Sequence, residues 1–142
     1  MADRRASAIW EGDLFEGNGT ARLESSGLAD ALPVSWPSRT EAPAGKTSPE
    51  ELLAAAHASC FCMALSKQLA DRGGEPGRLE ASATVTFEPG SGVTRSALEV
   101  RVSGTGLSGQ AVSEAAEAAK DGCPISQALA GNVELTIRAE TR

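Results

Sequence analysis

The sequence has no cluster of basic side chains. Its 142 residues carry 13 lysines and arginines against 19 aspartates and glutamates, a net charge of −6. These charges are spread along the chain, whereas a phosphate-binding surface requires a basic stripe. The composition therefore favours a soluble protein and argues against a nucleic-acid partner.

Long apolar segments are also absent. The N-terminus begins Met1-Ala2-Asp3-Arg4-Arg5 and continues into polar, alternating sequence, so it lacks the apolar stretch of a signal peptide. The uncharged run from Leu52 to Leu65 is shorter than the roughly 20 apolar residues that span a bilayer. We expect a cytoplasmic protein without a membrane segment, in which this run is a helix buried by protein.

Cysteines are few. There are three, an odd number that does not suit a structural disulfide framework in a reducing compartment. With 41% apolar residues, the chain is long enough to bury one core, and a dimer interface would add much buried surface at this size. We expect a single domain over residues 1–142, without internal repeats or low-complexity segments.

Alternating apolar and polar side chains predict the strands. The turns Gly17-Asn18-Gly19 and Glu88-Pro89-Gly90-Ser91-Gly92 indicate two hairpins. The predicted strands are residues 6–12, 18–25, 31–36, 79–88, 93–103 and 132–140.

Capping signals predict the helices. Ser48 caps a helix in which Pro49 takes the first position and Glu51 completes a capping box. This helix is predicted to end near Arg72, before two glycines. Two further helices are predicted from Ser108 to about Asp121 and from Pro124 to about Ala130, and residues 37–47 are predicted to form a loop. The resulting order, βββα, ββ, αα, β, describes an α+β domain with antiparallel sheet segments and a long central helix.

The side chains that a metal would use are few. Cys60 and Cys62 are two residues apart in the predicted helix, which rotates them by about 200° onto opposite faces. They cannot bind one metal together, and only His57 and Cys123 remain as ligands. We predict no metal and no cofactor.

His57 lies three residues before Cys60, on the same helical face. This spacing permits a Cys/His nucleophile in which His57 is the general base. Alternatively, His57 packs in an interface with its nitrogens bonded to backbone. The sequence leaves both interpretations open.

Cys123 lies in Asp121-Gly122-Cys123-Pro124, between the end of one predicted helix and the start of the next. Free backbone N–H groups and the positive end of a helix dipole favour a thiolate there. The alternative is that Cys123 is a small buried apolar residue. Cys62 has no such signal and is interpreted as packing.

Two segments resemble the osmotically inducible protein C and organic hydroperoxide resistance family. They are Ser-Pro-Glu-Glu-Leu-Leu-Ala-Ala-Ala-His-Ala-Ser-Cys-Phe-Cys-Met-Ala-Leu at 48–65 and Gly-Cys-Pro-Ile-Ser-Gln-Ala-Leu at 122–129. Ile-Trp-Glu-Gly-Asp at 9–13 and Gly-Asn-Gly-Thr at 17–20 resemble the osmotically inducible branch. The resemblance implies a cysteine-dependent peroxidase that prefers organic hydroperoxides and works as an intertwined homodimer, with active sites at the subunit interface.

The resemblance also implies roles for four residues: Cys60 is the peroxidatic thiol, Cys123 the resolving thiol, and Arg39 and Glu50 the interface pair. Cys62 stands where a small residue such as serine is expected. A guanidinium beside Cys60 would lower its pKa and stabilise the leaving alkoxide. The resulting sulfenic acid would condense with Cys123, and a dithiol reductant, lipoyl groups in some relatives, would restore both thiols.

Glu50 precedes Cys60 by ten residues, about 15 Å along a straight helix. It would therefore act at the thiol only from the partner's antiparallel helix across a two-fold axis. The simpler alternatives are that Glu50 favours the helix dipole and that Arg39 forms a solvated loop pair with Glu41.

An apolar pocket is predicted for an alkyl or lipid tail, lined by Leu52, Leu53, Phe61 and Met63 with residues of the partner. The leading hypothesis is a thiol peroxidase that reduces organic hydroperoxides to alcohols in stress defence. Its two rivals are a non-catalytic dimeric binding protein for a small lipid-like ligand and a thiol redox sensor.

Overall fold

The computed structural model describes Met1–Arg142. The chain contains two compact units, Met1–Leu52 and Leu53–Arg142. In chain order the elements are β1 (Ser7–Glu11), β2 (Asn18–Arg22), β3 (Leu32–Val34), α1 (Trp36–Thr40), α2 (Pro49–Asp71), β4 (Arg78–Glu88), β5 (Gly92–Ser103), α3 (Gly109–Gly122), α4 (Pro124–Leu129) and β6 (Glu134–Thr141).

The first unit contains an antiparallel sheet in the order β1-β2-β3. The predicted hairpin is present, but residues 12–17 make the reversal, and the backbone N–H of Gly17 donates to the carbonyl of Asp13 at 3.1 Å. Gly19 is a strand residue opposite Trp10. A Cβ on Gly19 would lie 2.5 Å from the indole ring, so glycine at this position leaves room for Trp10.

Helix α1 lies inside the segment that the sequence predicted to be a loop. Ser35 caps it, and Ser35 and Ser38 form a reciprocal capping box. The hydroxyl of Ser38 also donates to the carbonyl of Thr47 at 2.9 Å, which ties α1 to the residues just before α2. The loop prediction was wrong because a serine fills the place that glutamate or glutamine takes in the usual capping box. Arg39 lies in the last turn of α1.

The three predicted helices are confirmed to within one or two residues. The Ser48 hydroxyl accepts the backbone N–H of Glu51, and the Ser108 hydroxyl accepts that of Ala111, both at 3.1 Å. By length and composition alone, α2 is long and apolar enough to cross a membrane, a property that core helices of soluble proteins share.

The second unit contains a mixed sheet in the order β4-β5-β6. Strands β4 and β5 are antiparallel, whereas β6 runs parallel to β5. The prediction of purely antiparallel sheets was therefore wrong. Helices α3 and α4 form the crossover connection that a parallel pair of strands requires, and alternation within β6 carries no information about its direction.

The core of the second unit lies between one face of this sheet and the helices. Apolar side chains four apart on α2 share one face, and alternate residues of β5 point toward them. The buried cluster consists of Phe61, Leu65, Leu69, Leu98, Val100, Val102, Val112, Ala115, Ala116 and Ala119. This packing sets the rotation of α2 about its axis, and therefore the neighbours that Cys60 and His57 contact.

The central position of β5 predicts a large effect of truncating its core side chains. Leu98 is 1% exposed, so Leu98→Ala is expected to lower the free energy of unfolding by about 2–5 kcal/mol. Thr84→Ala, at an exposed position of β4, is the control and should change it by less than about 0.5 kcal/mol. Urea denaturation measures both, and equal effects would contradict the assigned core.

Candidate active site

Two thiols meet in the second unit. Cys60 lies on α2, and Cys123 is both the C-cap of α3 and the N-cap of α4. Each thiol influences the pKa of the other, so the two side chains are neighbours, and both cysteines are free rather than disulfide-bonded. Cys123 is fully buried, whereas Cys60 is partly exposed. The sequence did not establish this proximity, because the two residues are 63 positions apart.

The start of α4 supplies hydrogen-bond donors to the thiols. The backbone N–H of Ser126 donates to Sγ of Cys123 at 3.4 Å. Burial raises the pKa of Cys60, and its contact with Cys123 adds to the rise, opposed by the backbone of Ile125. Burial also acts to raise the pKa of Cys123, but donors from Ser126, Cys60 and Ile125 outweigh it and lower that pKa overall. Within this unit, negative charge is therefore held more easily on Cys123 than on Cys60.

Cys62 is separate from this pair. Burial raises the pKa of its thiol, opposed by the backbone of Ala81 on β4. This position agrees with the opposite helical faces expected for Cys60 and Cys62.

His57 is fully buried, and both of its ring nitrogens are occupied. Nδ1 lies 2.6 Å from the hydroxyl of Ser96, and Nε2 lies 2.8 Å from that of Ser126. Burial lowers the pKa of His57, so the ring is neutral near pH 7. No ring nitrogen is left to take a proton from Cys60, which excludes the general-base interpretation in this arrangement. His57 is packed, but its partners are serine hydroxyls rather than backbone.

Sequence reasoning missed Ser96 and Ser126, although both carry a signal. Ser96 begins the inward-facing series of β5 that continues with Leu98, Val100 and Val102, so it is a polar residue on an apolar face. Ser126 follows the N-cap Cys123 by three positions, the spacing at which a backbone N–H meets a capping side chain.

Arg39 and Glu50 form an ion pair inside the first unit. Arg39 Nε and Nη2 lie 2.8 and 2.7 Å from Oε1 of Glu50. The Glu50 side chain is 9% exposed, and the guanidinium also lies over the Trp36 ring at 5.8 Å. The partner of Arg39 in this ion pair is thus a buried carboxylate on α2 rather than the solvated Glu41 of the alternative interpretation.

The ion pair leaves one carboxylate oxygen without a partner. Nε and Nη2 of Arg39 both contact Oε1 of Glu50, whereas the buried Oε2 of Glu50 has no hydrogen bond. A buried carboxylate oxygen without a donor is costly, and such an atom in a native protein calls for a donor from outside the chain.

The residues predicted to line a substrate pocket differ in their exposure within one chain. Phe61 is fully buried in the core, so its side chain is unavailable to a substrate. Leu52 and Leu53 are half-buried, and Met63 is 75% exposed. A cavity of about 320 Å³ instead lies within the first unit, and its lining consists of Trp10, Leu14, Val34, Ser35, Trp36, Arg39 and Pro49.

The fold and the thiol pair define a class of α+β proteins in which a cysteine on a long helix meets a second cysteine at a helix start. Residues 42–138 match the family model described as OsmC-like protein. The chain belongs to the OsmC family. It is 37% identical over 135 residues to the proteins named peroxiredoxin OsmC from Escherichia coli (strain K12) and Shigella flexneri, covering 93% of either chain in each comparison.

Solved structures share the fold. An organic hydroperoxide resistance protein OsmC from Legionella pneumophila superimposes with a TM-score of 0.68 at 24% identity, covering 99% of both chains. The organic hydroperoxide resistance protein OhrB of Bacillus subtilis gives a TM-score of 0.66 at 24% identity, covering 96% of this chain and 98% of that one. The α+β architecture with two sheets is thus common to these proteins.

The contact between the two thiols predicts a characteristic titration. The Cys60–Cys123 pair should lose its first proton below the ordinary thiol range, because the anion is stabilised by several donors, and Cys62 should ionise above it. The ionised Cys123 thiol then stabilises the fold above the pKa of the unfolded thiol, and this stability is lost as pH falls through its lowered folded pKa.

Thiolate absorbance of the reduced protein as a function of pH measures these thiol ionisations. The first ionisation should persist in Cys62→Ser and disappear when Cys60 and Cys123 are both replaced by serine. Its loss in Cys62→Ser would contradict the assignment.

Proposed function

We propose that the protein is a homodimeric thiol peroxidase that reduces organic hydroperoxides to alcohols. The observation that carries this proposal is that a partly exposed Cys60 and a fully buried Cys123 lie close enough to influence each other's pKa. The exposed thiol is accessible to a peroxide, whereas the buried one is protected from it. The family relationship to proteins named peroxiredoxin OsmC supports the same chemistry.

The cycle has three steps. The Cys60 thiolate attacks the terminal oxygen of ROOH, the O–O bond breaks, and the alkoxide leaves and takes up a proton to give ROH and Cys60 sulfenic acid. The Cys123 thiolate attacks the sulfenic sulfur, hydroxide leaves and is protonated to water, and a Cys60–Cys123 disulfide forms. A dithiol then reduces this disulfide by exchange and is itself oxidised to a disulfide.

Attack by Cys60 requires a cation near its sulfur. Burial and Cys123 both raise the pKa of Cys60, so the pair alone favours a thiolate at Cys123. The first step instead requires a thiolate at Cys60. Arg39 is the proposed source of this cation, because a guanidinium lowers a thiol pKa and stabilises the departing alkoxide. Glu50 orients the guanidinium through Oε1.

This cation is proposed to come from the partner subunit. Helix α2 is continuous from Pro49 to Asp71, so ten residues of helix, about 15 Å, separate Glu50 from Cys60. An isologous dimer brings the Arg39–Glu50 pair of one chain to the Cys60 of the other, twice. A donor from the partner or the substrate would also satisfy Oε2 of Glu50.

Exposed apolar side chains support a large dimer interface. Only 22% of the most apolar 18-residue window of α2 is buried within one chain. Large apolar side chains are exposed in the first unit as well, an arrangement that marks interaction surfaces. They include Ile9, Trp10, Leu14, Phe15 and Leu28.

The cavity of the first unit supports an organic substrate. Two tryptophans, a leucine and a valine provide apolar lining, and Arg39 is the one charged residue in it. An alkyl or aryl group gains from burial against such a wall, whereas hydrogen peroxide has no group to bury there. Leu52, Leu53 and Met63 remain proposed contacts at the dimer interface, and Phe61 is withdrawn because it is a core residue.

Stepwise oxidation distinguishes the two thiols. With one equivalent of cumene hydroperoxide, the wild-type protein is expected to lose two thiols and form a Cys60–Cys123 disulfide in step with peroxide consumption. Cys60→Ser should abolish turnover, whereas Cys123→Ser should complete one reduction and then proceed to sulfinic acid. Intact mass, free-thiol counts and peptide mapping measure these species.

Other outcomes favour the rival functions. Full peroxidase activity in Cys60→Ser, or unchanged thiols in the wild-type protein, would overturn the mechanism. A copurifying ligand that stays bound after alkylation of Cys60 would favour the binding protein, and fast single oxidation with slow turnover would favour the redox sensor.

Mixed dimers test whether the site is shared between subunits. In a dimer of one Cys60→Ser chain and one Arg39→Met chain, the second chain supplies the thiol and the first supplies the guanidinium. We expect this mixed dimer to regain about half of the wild-type activity, because one of its two composite sites is intact. Peroxide consumption by the purified heterodimer measures it.

The reciprocal dimer is the matched control. A wild-type chain paired with a Cys60→Ser/Arg39→Met double variant has the same four side chains in a different distribution, and it should be inactive. The opposite pattern, with activity only in this control, would place each Arg39 beside the Cys60 of its own chain.

A further inference from the structure

We propose that His57 is a positioning residue for Cys123: its neutral Nε2–H form donates to Ser126, which commits the Ser126 hydroxyl to the Cys123 sulfur. The inference rests on the proposed function in one respect, namely that Cys123 is the resolving thiol. It assigns a task to the one histidine of the chain and to two serines that the peroxidase cycle does not otherwise use.

The direction of the relay is set at Ser96. This residue is 0% exposed on β5, and its hydroxyl has His57 Nδ1, at 2.6 Å, as its one hydrogen-bond partner. A buried hydroxyl proton without an acceptor costs about 1–3 kcal/mol. The Ser96 proton therefore points at Nδ1, which must be unprotonated to accept it.

An unprotonated Nδ1 fixes the tautomer of His57. A neutral imidazole then carries its proton on Nε2, which lies 2.8 Å from the Ser126 hydroxyl. Burial keeps the ring neutral by lowering its pKa. Nε2–H donates, and the Ser126 oxygen accepts.

The same donor-to-acceptor direction continues from Ser126 to Cys123. The Ser126 oxygen already accepts from His57, so its own proton is free for a different acceptor, and we assign the Cys123 sulfur, whose pKa the Ser126 side chain lowers, as that acceptor. The Ser126 backbone N–H donates to the same sulfur at 3.4 Å. If the tautomer were reversed, the hydroxyl proton of Ser126 would point at Nε2 and be lost to the thiolate.

The relay acts on the second step of the proposed cycle. Donors aimed at Cys123 hold negative charge there, as attack on the Cys60 sulfenic acid requires. They also compete with a cation beside Cys60 for the same charge. Removing them should therefore slow disulfide formation without slowing the first oxidation of Cys60.

The wild-type protein provides the first test without peroxide. Because the chain has one histidine, its imidazole nitrogens are identified without ambiguity in a long-range ¹H–¹⁵N spectrum of the reduced protein. We expect a neutral ring protonated on Nε2 at pH 7. A ring protonated on Nδ1, or a cationic ring, would overturn the proposal.

Variants provide the second test. His57→Gln places an amide near Nε2 and retains a donor to Ser126, whereas His57→Asn places its amide near Nδ1 and loses it. Disulfide formation after a peroxide pulse should slow by about tenfold or more in Ser126→Ala and His57→Asn, the value of a hydrogen bond to a charged group, and be restored in His57→Gln. Ser113→Ala, at an exposed position of α3, is the matched control.

Three readouts separate this role from simple packing. Trapping of the sulfenic acid gives the rates of Cys60 oxidation and of resolution, thiolate absorbance gives the first ionisation of the pair, and thermal unfolding gives stability. We expect slower resolution and a first ionisation at higher pH, with unchanged oxidation. Folded Ser126→Ala and His57→Asn proteins that resolve as fast as wild type would overturn the relay.

The two proposals fail in different ways. If wild-type Cys60 never forms a sulfenic acid, the peroxidase function fails, while the tautomer and the thiol titration still decide the relay. If turnover is normal in His57→Asn, the relay fails and the peroxidase function stands. If a variant does not fold, the ¹H–¹⁵N spectrum of His57 in the wild-type protein decides whether the relay is correct.

Discussion

The chemistry proposed for this protein depends on how the thiols of Cys60 and Cys123 ionise together. Cys60 and Cys123 influence each other's pKa, so the ionisation of either thiol depends in part on the other. Groups on the Cys123 side, among them the backbone and hydroxyl of Ser126, draw the charge toward the buried sulfur. A guanidinium beside Cys60 would instead stabilise the negative charge on the Cys60 sulfur. The reactivity of the pair is thus a balance between two environments.

The long helix α2 carries the groups that this balance requires, at fixed separations. Glu50 lies in its first turn, and His57 and Cys60 lie farther along it. About 15 Å of helix separates Glu50 from Cys60 along α2, and a two-fold partner is the arrangement that we propose to bring the ion pair to the thiol. Most of the apolar part of this helix is not buried within one chain, and Met63 on it is 75% exposed.

Local signals in the sequence predicted the helices well. Ser48 and Ser108 cap as expected, and the alternation of β4 and β5 is present in the sheet. Helix α1 was missed because its capping box uses two serines. The direction of β6 was wrong because alternation is the same for parallel and antiparallel strands.

The candidate site was predictable where a motif was present and not where the fold alone decides. The motifs around Cys60 and Cys123 identified the thiols, but their contact depends on how α3 and α4 return the chain to α2. The interpretation of His57 as a packed residue was correct in burial and wrong in its partners. Those partners are Ser96 and Ser126, 39 and 69 positions away.

The parallel strand β6 also has a consequence for the biosynthesis of the protein. Its residues 134–141 are translated after both cysteines, and they pair along β5 as far as Val102 with Thr141. Cys60 is made well before Cys123 and before the strand that completes the sheet beneath α3. On the ribosome, the first thiol therefore exists for a time without its partner.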